Sequence, residues 1–263
     1  MTQPVLFLAH GTPMNALRGN QFTDDWRRFI ADRHPPRAIL VISAHWETFG
    51  TFITASDHPR TIHDFSGFPQ SLSEIRYPCP GEPELANHIC HHSSGDIEPN
   101  SDRGLDHGVW SILVHLFPNA NIPVLQLSLD RGKSPAEFLA LGRSLRWLRD
   151  DAVLVIGSGN MVHNIRQWMR DPGGPFDWAR AFDRAATNAL ENRDFTALAN
   201  YTTLPGAELA VPTPEHFLPA LVIAGMSAPS DKLQMTEYPP ISLENCSMRS
   251  FAFVSTSEST TRH

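Results

Sequence analysis

Three apolar runs in this 263-residue chain end in or near a histidine: Pro4-Val-Leu-Phe-Leu-Ala-His10, Arg37-Ala-Ile-Leu-Val-Ile-Ser-Ala-His45-Trp46 and Ala152-Val-Leu-Val-Ile-Gly-Ser-Gly-Asn-Met-Val-His163. A fourth histidine, His216, follows Thr213-Pro-Glu215. Imidazole is the side chain that both ligates divalent metals and moves protons near neutral pH. Three imidazoles held at rigid points can share one ion and leave its other positions open, the layout of a catalytic site rather than a structural one. His10 and His45 are read jointly as ligands, and His216 as a third ligand or a helix cap, with Glu215 as a competitor for that place. His163 reads as a fourth ligand, a general acid–base or a core histidine, and a pKa near 6.5 suits the second role. His107, in Gly104-Leu-Asp-His-Gly-Val-Trp110, and His63, in Thr61-Ile-His-Asp-Phe65, read either as parts of the site or as braces. His34, His58, His88, His91, His92, His115 and His263 carry no pattern that asks for chemistry.

The elements that would position these groups follow from periodicity. Unbroken β-branched runs read as strands buried on both faces, and such strands alternate here with helical patterns. That gives a single α/β domain: a central, mostly parallel or mixed sheet with helices on both faces and a metal site at the carboxyl edge of the strands. His10 and His45 are expected to end neighbouring strands. His163 is expected to follow a tight turn at Gly157-Ser-Gly159, which lacks the later glycine and Lys-Ser/Thr of a phosphate loop. Helices are expected over residues 24–34, 82–91, 134–148 and 176–192, and from Asp106, as N-cap, to Pro118. A further helix is expected to open near Thr213, with His216 in its first turn. Residues 56–83 form a long loop rich in Pro, Gly and aromatics, and loops of that length in compact domains usually carry function. The domain spans 1–255, with 256–263 a disordered polar tail.

Composition excludes several classes. The formal charge is −7 and the basic residues are scattered, which disfavours nucleic acid. No leader pattern or membrane-spanning apolar run is present, and three cysteines without a CxxC pair suit a reducing, cytoplasmic setting.

Taken in order, Ala9-His-Gly-Thr-Pro13, Ser43-Ala-His-Trp46, Thr61-Ile-His-Asp-Phe65 with Gly67-Phe-Pro69, Tyr77-Pro-Cys-Pro-Gly81, Gly104-Leu-Asp-His-Gly-Val-Trp110, Gly157-Ser-Gly-Asn160 with His163, Thr213-Pro-Glu-His216 and Ser247-Met-Arg-Ser-Phe251 resemble the 4,5-DOPA extradiol dioxygenase family. That family is a branch of the class III extradiol dioxygenases, the protocatechuate 4,5-dioxygenase superfamily. The resemblance implies one mononuclear divalent metal, Zn(II) or Fe(II), on His10, His45 and His216, with His163 beside it as acid–base or additional ligand and His107 as its partner. It implies a small aromatic diol and O2 as substrates, and Trp46, His63, Phe65, Phe68 and Tyr77 are the expected walls of the diol pocket. Two departures stand out. The founding branch has glutamate where this chain has His216, and Ser66 stands where many relatives carry tyrosine. The rival readings are a zinc hydrolase on the same scaffold and a non-catalytic metal- or ligand-binding protein.

Overall fold

The computed structural model describes residues 2–93, 95–171, 176–236 and 246–256. The end of the expected tail, 257–263, lies outside the described residues. Eight strands are present among them: β1 Val5–Ala9, β2 Ala38–Thr48, β3 Thr51–Thr54, β4 Ile97–Asn100, β5 Val124–Asp130, β6 Val153–Gly159, β7 Lys232–Met235 and β8 Phe251–Val254. The helices are α1 Gln21–Ile30, α2 Gln70–Ser73, α3 Pro83–His92, α4 His107–Leu116, α5 Pro135–Leu145, α6 Ile165–Arg170, α7 Asp177–Glu191, α8 Phe195–Ala199, α9 Ala207–Ala210 and α10 Leu218–Met226.

The strands form one sheet in the order β4-β3-β5-β2-β6-β1-β8-β7. Its centre, β5-β2-β6-β1, is parallel, while β3 pairs antiparallel with β5 and β8 antiparallel with β1. The sheet is therefore mixed, as expected. Alternation along each central strand feeds two cores. Val5, Phe7, Leu40, Ile42 and Val155 face Phe138, Phe182 and Leu221 of α5, α7 and α10. Leu6, Leu8, Ile39, Val41 and Ile156 face Trp26, Phe29, Trp110 and Leu113 of α1 and α4. A strand buried on both faces has no polar side to alternate with, which is why these runs read as continuous apolar stretches. No helix among the described residues is long and apolar enough to cross a membrane.

Four expectations are corrected. β1 and β2 are not neighbours, because β6 lies between them. Gly157-Ser-Gly159 is not a turn but the last three residues of β6. Its glycines serve close approach: a Cβ on Gly159 would stand 2.1 Å from the His216 carbonyl oxygen, and one on Gly157 2.9 Å from that of Pro219. The helix after His216 begins at Leu218, so His216 stands in the turn before it rather than in its first turn. Finally, β2 does not stop at His45 but runs on to Thr48. It gives up its regular ladder instead: Ile42 is opposite Leu127 and Glu47 opposite Leu129, five steps on β2 against two on β5. Ser43-Ala-His-Trp46 is thus a broad bulge, a device that re-aims a side chain at a strand end.

Candidate metal centre

Register brings the first two histidines level. Ser158 of β6 pairs with Leu8 on one side and Ser43 on the other, so His10 and His45 each stand two residues beyond the same rung, straddling the end of β6. His216 arrives from the turn that Gly159 admits, where the Asn160 N–H donates to its carbonyl at 2.9 Å. The three rings lie 5.0, 5.3 and 5.1 Å apart, centroid to centroid. One ring nitrogen of each falls within 4.8 Å of the others.

Two of the rings have a hydrogen-bond partner that fixes where the proton sits. The Ser158 hydroxyl donates to the Gly108 carbonyl at 2.6 Å, and with its only proton spent there it accepts from His10 Nδ1 at 2.8 Å. His216 Nδ1 donates to the Glu215 carboxylate at 3.0 Å. His45 Nδ1 faces Asp64 at 3.5 Å. The Nε2 atoms of His10 and His216 are then bare lone pairs. His45 Nε2 is 3.1 Å from His10 Nε2, and His216 Nε2 is buried without a hydrogen-bond partner. The first spacing suits an N–H of His45 donated to His10 in the metal-free chain, and it equally suits two donors about 2.1 Å from a shared ion at a nearly right-angled bite, which stand about 3 Å apart. The residues fit a divalent ion.

Electrostatics point the same way. Burial, reinforced by the adjacent imidazoles, holds His10 and His216 well below the ordinary histidine value. Burial and then His107 lower His45 to about 3. All three are neutral at physiological pH, the form that ligates. Glu215 Oε1 accepts from His216 and from the Thr213 hydroxyl, and the same carboxylate groups with His163 and His216 as ligand atoms within 4.8 Å of one another.

His163 stacks on His216 with ring centroids 3.5 Å apart and planes 12° apart. Lone pairs lie in the ring plane, so the nitrogens of two nearly parallel rings point in parallel, although one ligand atom each of His163, Glu215 and His216 lies within 4.8 Å of the others and could hold an ion. Burial lowers His163 to about 4 against an opposing pull from Glu215, so the expectation of an unperturbed pKa is corrected. His107 opens α4 with its ring 4.0 Å from that of His45. Its Nδ1 and its backbone N–H both reach Asp64 Oδ1 at 2.9 Å. Burial would raise that carboxyl, but the bonds from His107 outweigh it and hold Asp64 at about 2. Asp64 lies in a quoted motif, yet nothing in the one-dimensional pattern pairs it with residues 45 and 107. Ser158 was similarly hidden inside a glycine-rich stretch.

Of the expected walls, Phe65 lies edge-on to His107 at 5.7 Å and packs against the half-exposed Phe68 at 5.4 Å. The other three make the following contacts, and the His63 ring also lies 5.8 Å from that of Phe65. His63 Nε2 meets the Ile75 carbonyl at 3.0 Å and braces the loop. Tyr77 is buried in the core with its hydroxyl donated to the Phe117 carbonyl. Trp46 is buried beneath the guanidinium of Arg103.

Comparison with known proteins adds independent findings. A family model described as the catalytic LigB subunit of aromatic ring-opening dioxygenase matches residues 3–241. A 4,5-DOPA dioxygenase extradiol of Escherichia coli (strain K12) is 42% identical over 230 residues, 84% of each chain. A Beta vulgaris protein of the same name is 39% identical over 238 residues, 87% of this chain and 88% of its own. The crystal structure of an uncharacterized protein from Escherichia coli K12 aligns with a TM-score of 0.81 at 35% identity, covering 95% of this chain and 99% of that one.

Proposed function

The chain belongs to the family of the catalytic LigB subunit of aromatic ring-opening dioxygenase, and on that premise we propose that this extradiol dioxygenase opens a DOPA-like catechol beside its two hydroxyls, inserting both atoms of O2. The observation that carries the reading is the meeting of His10, His45 and His216, with one ring nitrogen of each within 4.8 Å of the others and the Nδ1 atoms of His10 and His216 hydrogen-bonded elsewhere. One mononuclear ion would be held there, and when bound it supplies Lewis acidity and, if it is Fe(II), the electron-transfer capacity that ring opening by dioxygen needs. Zn(II) fits the same donors but has no redox chemistry, so iron is the working metal of this proposal.

The protein's own groups do the rest. Phe65 and Phe68 offer apolar faces to the diol ring. His163, neutral at physiological pH, would accept a proton from a diol hydroxyl as the diol ionises and return it to the opened product. His107, its Nδ1 proton held on Asp64, presents Nε2 as an acceptor and relay next to His45. Asp64 and Glu215 keep the rings turned and place negative charge around a donor set that is itself neutral. A cytoplasmic location is part of the proposal, since three cysteines without a CxxC pair suit a reducing compartment.

Reconstitution decides it. Metal-free protein loaded with Fe(II) without oxygen, then exposed to air with a panel of catechols, should consume oxygen and form a yellow ring-opened product, while zinc-loaded protein should do neither. Ester or amide hydrolysis by the zinc form, with no oxygen uptake by the iron form, would replace the proposal with a hydrolase. Firm metal retention with no turnover on either panel would leave a binding protein.

A further inference from the structure

Over Ser43–Trp46 the β2–β5 ladder is interrupted, and the β6 ladder ends at Ser43. The backbone of His45 has therefore lost its strand partners at the point where its side chain must be aimed. A buried backbone N–H or C=O left unpaired is costly, so what replaces those bonds defines the conformation. The His45 N–H donates to the Ser43 hydroxyl at 3.2 Å, and the His45 carbonyl accepts from an Arg103 guanidinium nitrogen at 3.1 Å.

Both replacements lead to Asp106. Ser43 donates to its Oδ1 at 2.7 Å, and the same Arg103 nitrogen donates to its Oδ2 at 3.1 Å. Gln126 of β5 donates to Oδ2 as well and accepts from the Asp106 N–H at 3.2 Å. Asp106 occupies the N-cap position of α4, yet its side chain caps nothing there. The carboxylate is fully buried and turned to the bulge instead. The Arg103 guanidinium also covers the Trp46 ring at 5.3 Å, so it touches the bulge on both sides of the peptide that follows His45. The next residues of α4 complete the joint, since a Cβ on Gly108 would stand 2.5 Å from the Ser43 hydroxyl and 3.1 Å from the His45 ring.

We propose that Arg103, anchored by Asp106, is a positioning residue that clamps the β2 bulge and so directs His45 Nε2 at the shared metal position. The clamp rests on the reading of His45 as a ligand. Arg103 touches neither substrate nor ion and acts through the His45 carbonyl and the Trp46 ring. It leaves its own Nε buried without a partner, a local cost of the kind found where placement matters more than stability.

Cobalt(II) titration of the metal-free protein tests this, with the visible spectrum reporting coordination and thermal unfolding of the metal-free state run in parallel. Arg103→Gln removes the donor to the His45 carbonyl and the cation over Trp46. It should weaken cobalt binding by about 10- to 100-fold and alter the spectrum, in the range seen when groups behind a ligand are removed. Arg103→Lys keeps a cation that can bridge both acceptors and should restore most of the affinity. An Arg103→Gln protein that melts early yet binds cobalt with unchanged affinity and spectrum would overturn the proposal and leave Arg103 a stabilising residue. If that variant does not fold, Ser43→Ala, which removes the hydroxyl under the His45 N–H, decides by the same readouts. His45→Ala separates the two levels: unchanged cobalt binding there would overturn the ligand reading itself, whereas loss there with unchanged binding in Arg103→Gln overturns only the clamp.

Discussion

At the scale of single residues, the two candidate-site histidines closest to each other differ in what their ring planes allow. His216 has one nitrogen tied to Glu215 and the other orphaned, whereas His163 lies flat against it. Replacing His163 with Phe keeps the stacked ring but removes both nitrogens. Metal content measured after dialysis should be retained, while turnover of the iron form falls by about 10²- to 10⁴-fold, the usual worth of a general acid–base group. Loss of metal from that variant would make His163 a ligand and require its ring to rotate off His216. His45→Ala should behave in the opposite way and fail to retain metal. The identity of the imidazoles was legible from the chain alone, because a polar residue that breaks an apolar run marks itself. Their partners were not. Asp64 and Ser158 are ordinary residues in sequence, and only folding places one against residues 45 and 107 and the other between residues 10 and 108.

Among the secondary elements, strands and major helices were readable because their apolar periods are long and regular. What periodicity could not show was departure from regularity. The β2 bulge is spelled Ser43-Ala-His-Trp46, which satisfies strand propensity as well as a straight segment would. The glycines of β6 are indistinguishable in sequence from a turn, and the reason for Gly159 lies 57 residues away at the His216 carbonyl. Gly159→Ala places a methyl group 2.1 Å from that oxygen, and since the obstacle is backbone, relief requires the His216 turn to move. A destabilisation of about 3 kcal/mol or more is expected, together with weakened metal binding. Urea unfolding alongside metal titration measures both; unchanged affinity in a destabilised variant would mean that the turn can shift without carrying His216 away. β4 and β7 were not legible in the sequence because Ile97-Glu-Pro-Asn100 and Lys232-Leu-Gln-Met235 carry polar residues and a proline in place of an apolar run. They end the sheet with little open edge.

For the molecule as a whole, a cluster of buried neutral imidazoles couples folding to pH. His45 and His163 titrate at about 3 and about 4 in the folded, metal-free chain, against an ordinary value of 6.5. The unfolded chain therefore takes up their protons first as pH falls. Stability of the metal-free protein is unaffected by these groups above about pH 6.5 and declines as the pH drops from there towards 4. Denaturation midpoints measured at successive pH values should follow that course. A bound divalent ion stabilises only the folded chain and should lift the whole curve, and midpoints that rise on acidification would contradict the buried, uncharged state of the rings. The placement of β6 between β1 and β2 has a last consequence for assembly. Residues 10 and 45 flank a strand that lies more than a hundred positions further along the chain, and residue 216 comes from beyond it. A nest of nitrogens gathered from such distant places exists only in the folded chain, so occupancy by an ion is itself a gauge of folding.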